Sequence, residues 1–116
     1  SGANTYTGAT TIGSGATLAL SGNGSIAASG NVIDNGAFSI AATNAGAAIQ
    51  SLSGNGSVDL GSKTLALVNA SGTFAGTIGG AGGLVKNGAG IQGLTGVNVF
   101  TGGVTLNAGG LLLGNG

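Results

Sequence analysis

Short apolar clusters alternate with turn-forming residues along the whole chain. Four of these clusters show large apolar residues separated by small or polar ones with a period of two, which predicts β-strands with one buried face. No segment has an apolar period of 3.6 residues with capping signals, so essentially no helix is expected. The alternating pairs are Leu18/Leu20, Phe38/Ile40, Val58/Leu60 and Leu65/Leu67, and the residues between them are Ala19, Ser39, Asp59 and Ala66.

The predicted strands are three to six residues long and cover much of the chain. They are TTI (10–12), TLAL (17–20), SIA (25–27), NVID (31–34), AFSIA (37–41), AIQSL (48–52), SVDL (57–60), TLALV (64–68), TFAGTI (73–78), LVK (84–86), VTL (104–106) and LLL (111–113).

Asn-Gly pairs mark the turns between clusters and begin at residues 23, 35, 55, 87 and 115. Both residues tolerate positive φ, so they turn the chain at little steric cost. Asn-Gly commonly forms two-residue hairpin turns, but the corners of a solenoid need the same residues. A protein of antiparallel hairpins and a stacked solenoid therefore both fit the turns.

Internal repeats favour the solenoid. The segment at 2–12 matches the segment at 96–106, and SGNGSI at 21–26 matches SGNGSV at 53–58. Strand starts at 10, 32 and 57 predict coils of 22 and 25 residues. Coils of unequal length with short strands on a common axis are typical of a parallel β-helix, whose loops absorb the differences.

Composition narrows the class of protein further. The chain has 116 residues, enough for one domain or a piece of a longer one, and 28 of them are Gly. Collagen is excluded, because there is no Pro and no Gly at every third position. Disorder is disfavoured, because 41% of residues are hydrophobic. Only Asp34, Asp59, Lys63 and Lys86 are charged, and the net charge of zero gives no attraction to nucleic acid or anionic membranes.

Several kinds of site lack the residues they require. There is no Cys and no His, which excludes disulfides, thiolate metal sites and nucleophiles that depend on an imidazole base. No apolar run approaches the ~20 residues of a membrane-spanning helix, and no signal peptide is recognisable. Met is also absent. We therefore expect a processed product or an excised segment, whose export signal lies outside these residues.

Asp34 and Asp59 are the only carboxylates, and their separation of 25 positions is about one predicted coil. They could therefore stack on adjacent rungs, as carboxylates do in β-helix enzymes that act on polysaccharides. Such sites need further acids, bases or a metal ion, so we interpret both as solvated surface groups. Asp59 and Lys63 could form a surface ion pair, worth at most about 1 kcal/mol. No catalytic, cofactor-binding or metal-binding residue is predicted, and no small-molecule substrate is expected.

Other motifs are interpreted as structural. Gly88-x-Gly90-x-x-Gly93 matches a dinucleotide fingerprint by letter but lacks the helix that must follow it. The glycine run at 79–83 lacks the Asp of a calcium-binding roll, and Thr5 and Thr7 form a single T-x-T that does not recur. The glycosylation patterns at Asn23, Asn55 and Asn69 are interpreted as turn residues. The four aromatic residues are interpreted as core or corner packing residues, and they are Tyr6, Phe38, Phe74 and Phe100.

Residues 71–114 resemble the autotransporter-associated β-strand repeat. That pattern runs G-G-L-x-K-x-G-x-G and then L-x-L-x-G-x-N-x-[YF]-x-G-G-T-x-[VIL]-x-x-G-x-L-x-L-G. Its second half recurs at 2–20. Two positions depart from it: Gln92 replaces a core Leu, and Val104 replaces Thr. Gln92 implies either a rotated strand or a buried hydrogen bond. The matching residues are Gly82, Gly83, Leu84, Lys86, Gly88, Gly90, Leu94, Gly96, Asn98, Phe100, Gly102, Gly103, Leu106, Gly109, Leu111 and Leu113.

The resemblance implies a passenger of the type V secretion route, displayed on the bacterial surface or secreted through the periplasm and outer membrane. Its partner would be an outer-membrane β-barrel on the same polypeptide, outside these residues. The predicted fold is all-β: one right-handed parallel β-helix over 1–116, with about five coils and repeat copies at 2–20 and 79–114.

Three functions follow in order of preference. The first is a non-enzymatic structural stalk, and the second is an adhesion or self-association module that promotes cell aggregation or biofilm. The third, an enzyme acting on polysaccharide, is disfavoured by the missing acids. Because neither end carries a charged or helical cap, we also expect both terminal coils to expose an open apolar core that promotes stacking.

Overall fold

A computed structural model of the chain describes residues 4–114, which form fourteen β-strands and no helix. The strands are β1 (Thr10–Ile12), β2 (Thr17–Gly22), β3 (Val32–Asp34), β4 (Ala37–Thr43), β5 (Ala47–Ile49), β6 (Leu52–Ser53), β7 (Ser57–Asp59), β8 (Thr64–Leu67), β9 (Thr73–Phe74), β10 (Thr77–Gly79), β11 (Gly83–Lys86), β12 (Ile91–Leu94), β13 (Val104–Leu106) and β14 (Gly110–Leu113).

The strands wind into a three-sided parallel β-solenoid of about five turns. The first face carries β1-β3-β6 and β9-β12-β14, which are joined by a single bridge between Gly54 and Phe74. The second face carries β2-β4-β7-β10, and the third carries β5-β8-β11-β13. Every recorded strand pair is parallel, so the hairpin alternative is wrong for the described residues. A right-handed path is the one that nearly all parallel crossovers take.

Most coils are about 20 residues long, which is shorter than both predicted lengths, and only the first coil on the first face is longer. Thr10 pairs with Val32, which confirms the 22-residue first coil. Val32 then pairs with Leu52 rather than with residue 57, which lies on the second face and pairs with Ala37. The predicted 25-residue coil is therefore wrong, because it joined strands on two different faces.

The strand predictions were accurate in most places. The clusters at 10–12 and 104–106 are strands with the predicted bounds. The clusters at 48–52 and 73–78 each contain a corner, so each divides into two strands on neighbouring faces. The cluster at 25–27 forms only a bridge at Ser25, and β12 was not predicted.

Inward side chains form columns along the axis, because equivalent residues of successive coils pair directly. On the second face Leu18, Phe38, Val58 and Ile78 lie in register. On the third face Ile49 pairs with Leu67, and Leu67 pairs with Lys86. Phe38, Leu65 and Leu67 are at most 1% exposed, which confirms the predicted inward orientation. These columns make one continuous core.

A column of glycines forms the corner before the second face. Gly36, Gly56, Gly76 and Gly96 recur every 20 residues, and a Cβ added to Gly56, Gly76 or Gly96 would overlap the carbonyl oxygen of the preceding glycine. A Cβ on Gly36 would overlap the Ala16 carbonyl oxygen in the same way. These glycines do not have positive φ. They are therefore required by the close approach of successive coils, and not by backbone handedness.

Asparagine side chains form hydrogen-bonded ladders at other corners. Asn44 Nδ2 donates to Asn23 Oδ1 at 2.9 Å, and Asn107 Nδ2 donates to Asn87 Oδ1 at 2.8 Å. Each bond joins corresponding corners of adjacent coils. The Asn-Gly pair at 115–116 lies outside the described residues.

The two ends of the described solenoid differ, contrary to the expectation that both are open. At the N-terminal end Ile12 and Leu20 are buried, and residues 4–9 run beside the first coil, with Asn4 N bonded to Ser25 O at 3.0 Å. At the other end Val104, Leu106 and Leu113 are 41, 50 and 60% exposed. The apolar core is therefore exposed to solvent at the C-terminal end of the described solenoid, and it is covered at the N-terminal end.

Candidate functional site

Six polar residues are buried in the described part of the chain, and three of them interrupt the apolar columns with a charged or amide group. Asp34, Lys86 and Gln92 are each at most 1% exposed. Asp34 and Gln92 lie on the first face, and Lys86 lies on the third. Because a buried polar group is costly unless it is hydrogen-bonded, these residues are the chemically distinctive part of the molecule.

Asp34 is buried at the corner between the first and second faces. It pairs in register with Ile12, and one carboxylate oxygen, Oδ1, accepts a hydrogen bond from Gly36 N at 3.1 Å. The other oxygen, Oδ2, has no partner among the described residues. Burial raises the pKa of this carboxyl from 3.8 to about 6, and the Gly36 hydrogen bond offsets only part of that rise. The interpretation of Asp34 as a solvated group is therefore wrong.

Acidification is expected to stabilise this protein. The folded chain holds the Asp34 proton more tightly than the unfolded chain, since the folded pKa is the higher one. The contribution is therefore present at low pH and is lost as pH rises through about 6. Denaturant titrations should give an unfolding free energy about 2–3 kcal/mol larger near pH 4 than near pH 7. Asp34→Asn should remove this difference, and a wild-type protein that loses stability on acidification would contradict it.

Asp59 lies on the outer side of the second face and does not meet Asp34. It is exposed, pairs in register with Ser39, and accepts a hydrogen bond from Gly61 N at 2.9 Å. The stacking of the two carboxylates, which the sequence left possible but disfavoured, does not occur, and the interpretation of Asp59 as a solvated surface group is confirmed. Lys63 Nζ donates to the Asn44 carbonyl oxygen at 3.4 Å, and not to Asp59, the possible ion-pair partner.

Gln92 makes buried hydrogen bonds, which was one of the two explanations that the sequence offered for a polar residue at this position. Its Nε2 donates to Leu52 O at 2.8 Å and to Gly93 O at 3.0 Å, and Leu52 N donates to its Oε1 at 3.3 Å. Leu52 lies two coils away, and Gly72 occupies the rung between them. The amide thus substitutes for main-chain pairing where the first face is interrupted, and the alternative of a rotated strand is wrong.

Lys86 extends inward from β11, and its ammonium group reaches main-chain oxygens at the next corner. Nζ donates to Asn87 O at 3.0 Å and to Gly88 O at 3.2 Å. Its neighbours in register are Leu67 and Leu106, both apolar. The charge is therefore compensated by peptide dipoles and not by a carboxylate.

Two shallow grooves lie on the third face. The larger, about 430 Å³, is lined by small residues of the first coils, including Asn23, Gly46, Ala48 and Thr64. The smaller, about 280 Å³, shares Thr64 and continues toward Thr105. Their lining offers backbone and hydroxyl groups with no charged side chain.

The remaining motifs occupy structural positions. Gly88, Gly90 and Gly93 precede or belong to strand β12, and no helix follows within the described residues. The glycine run at 79–83 connects β10 to β11, and Thr5 and Thr7 are exposed before β1. Asn23, Asn55 and Asn69 are exposed in connections, as predicted for turn residues.

The aromatic residues pack as predicted, with one exception. Phe38 and Phe74 are fully buried, and Phe100 packs against the core. Tyr6 is 45% exposed, and its hydroxyl lies 2.6 Å from Thr10 Oγ1. Thr10 Oγ1 in turn contacts the buried Ser29 hydroxyl at 2.8 Å, so Tyr6 belongs to a polar network that holds residues 4–9 in place.

Within residues 4–114 no three His, Cys, Asp or Glu side chains come together. The same residues include no helix with the length and apolarity needed to cross a membrane. No family model, curated protein or solved structure matches the chain.

Proposed function

We propose that this chain is a structural stalk from a bacterial autotransporter passenger, which holds a distal region away from the cell surface. The observation that carries the proposal is the parallel stacking of about five coils around one apolar core, with four-stranded sheets along the second and third faces. A column that continues from coil to coil gives a rigid rod whose length grows by about 4.8 Å for each added coil.

The assignment to a bacterial passenger is based on the residues that match the autotransporter-associated repeat. Their positions in the solenoid explain why the repeat has glycine and leucine there. Gly82, Gly90, Gly96 and Gly102 fall where an added Cβ would overlap a carbonyl oxygen of the preceding coil. Leu84 and Leu94 are buried in the core. The spacing of the pattern is therefore the spacing that stacked coils require, which supports a solenoid-forming repeat.

Export and folding can be coupled in such a rod. Each coil contacts mainly its neighbours, so coils can fold in succession as the chain emerges. In this proposal the segment is carried across the outer membrane by a barrel on the same polypeptide, and folding outside disfavours its return. The nearly uncharged surface fits a spacer that binds neither nucleic acid nor an anionic substrate.

The second candidate is an adhesion or self-association module. The observation that favours it is the pair of uncharged grooves on the third face, which would accept an uncharged hydrogen-bonding polymer or another cell's surface. An enzyme acting on polysaccharide is not proposed, because Asp34 and Asp59 lie on different faces.

Replacement of the whole segment separates the two candidates. Residues 1–116 are exchanged, in the full-length surface protein, for an unrelated β-solenoid with the same number of coils. A stalk predicts that a distal epitope stays accessible and that cell aggregation is unchanged. Loss of aggregation with an accessible epitope would favour the adhesion module and contradict the stalk. A shorter replacement should lower the epitope's height above the membrane in proportion to the coils removed.

A further inference from the structure

Four Asn-Gly pairs lie within the described residues, and this dipeptide can modify itself. The main-chain nitrogen of Gly loses its proton and attacks Cγ of the preceding Asn. Ammonia leaves, a five-membered succinimide forms, and water opens it to aspartate or isoaspartate. The reaction requires a glycine N–H that is free of a strong hydrogen bond, because an N–H donated to an acceptor is harder to deprotonate.

Three of the four pairs are protected by such hydrogen bonds. Gly24 N donates to Ser21 O at 2.8 Å, and Gly56 N donates to Asp34 O at 2.7 Å. Gly36 N donates to the buried Asp34 carboxylate at 3.1 Å. At each of these corners the nucleophile is therefore held by an acceptor within the fold.

The fourth pair, Asn87–Gly88, differs in two ways. No acceptor for Gly88 N is found within residues 4–114. In addition, the buried Lys86 ammonium donates to Asn87 O at 3.0 Å, the carbonyl oxygen of the peptide bond that contains this nitrogen. When the nitrogen loses its proton, the negative charge spreads onto that oxygen. A cation already hydrogen-bonded there stabilises the anion as it forms.

We propose that Asn87–Gly88 is a self-modification site at which Lys86 promotes succinimide formation and deamidation. Asn87 is half-buried at its corner, and its Oδ1 accepts the ladder bond from Asn107. Polarisation of the Asn87 side chain by this bond also favours attack at Cγ. The buried lysine, which has no carboxylate partner in register, thereby has a chemical role beyond capping the corner.

The product changes the solenoid locally. Isoaspartate adds one main-chain carbon to the corner after β11, so β12 and the strands that follow it can no longer keep their register with the preceding coils. A new carboxylate at residue 87 also places a charge in an otherwise neutral ladder. Coils after residue 87 should therefore loosen with age, while the earlier coils stay intact.

The test is a time course of the wild-type chain at mildly alkaline pH, folded and in urea, with deamidation at each pair followed by peptide mass spectrometry. In urea the four pairs should react at similar rates. In the folded chain Asn23, Asn35 and Asn55 should be strongly protected, and Asn87 should react at least as fast as in urea. Protection of Asn87 equal to that of the other three would overturn the proposal.

The role of the lysine is tested with Lys86→Met and, as the matched control, Lys86→Arg, both checked by circular dichroism. Lys86→Met should slow the folded-state reaction at Asn87 by about tenfold, which is about 1.4 kcal/mol of barrier, and should leave the urea rate unchanged. Lys86→Arg should stay close to wild type. An unchanged or faster reaction in a folded Lys86→Met chain would overturn the assistance by Lys86. If that variant does not fold, the wild-type comparison of the four pairs still decides the site.

Discussion

Gly76→Ala is expected to destabilise the solenoid by about 3 kcal/mol, since overpacking a tight contact costs this much when neighbours cannot move. The added Cβ would overlap the Gly56 carbonyl oxygen and would lie 2.7 Å from Phe74 Cζ. Neither can yield easily, because Gly56 is main chain held between coils and Phe74 is fully buried. The corner would have to open, which would separate two coils along the glycine column.

Gly13→Ala is the matched control for this substitution. Gly13 also lies in a corner and lacks positive φ, but no atom lies within 4 Å of its Cβ position. Its alanine variant should unfold at the wild-type denaturant midpoint or slightly above it, because alanine restricts the unfolded chain. Similar midpoints for Gly76→Ala and Gly13→Ala in urea titrations would show that the coils do not approach as closely as described.

Leu67→Ala is expected to cost 2–5 kcal/mol, the range for removing a fully buried leucine. Leu67 is 1% exposed and pairs in register with Ile49 below and Lys86 above. The substitution would leave a cavity between two coils. It would also remove apolar contacts to the methylene groups of the buried Lys86 side chain.

Thr64→Ala provides the comparison on the same strand. Thr64 is exposed at the start of β8, so truncating its side chain removes little packing. The difference between the two variants in the free energy of unfolding, measured by denaturant titration, should therefore be close to the full cost of Leu67→Ala. Equal midpoints would contradict the inward orientation of Leu67.

The sequence predicted the strands better than it predicted their stacking. Alternation identifies the inward residues of a strand locally, and Leu65 and Leu67 follow that rule without exception. The coil length depends instead on contacts between distant residues. The segments at 2–12 and 96–106 are similar in sequence and were interpreted as copies of one repeat. They are not structurally equivalent, because Thr11 lies on the first face and Thr105 lies on the third. The true coil length is shown by the glycines that recur every 20 residues, and the residues that flank them differ from coil to coil. These glycines are Gly36, Gly56, Gly76 and Gly96.

The buried polar groups could have been found from the same alternation. Asp34 follows Val32 by two positions, and Lys86 follows Leu84 by two, so each polar side chain shares the inward side of its strand. The same alternation places Asp34 beside Val32 on the buried side of β3, in disagreement with its interpretation as a solvated group. The hydrogen bonds of Gln92 to Leu52 could not be predicted, because they cross two coils at an interruption of the first face.

The parallel stacking of coils also determines how the molecule carries a mechanical load. The hydrogen bonds between rungs run along the solenoid axis, so a pull on the two ends loads successive coils in series. Rupture then begins at the weakest coil and proceeds one coil at a time. Each event releases about 20 residues, or roughly 70 Å of extended chain. Under tension the rod would therefore lengthen in discrete steps and absorb work, while its remaining coils keep their structure.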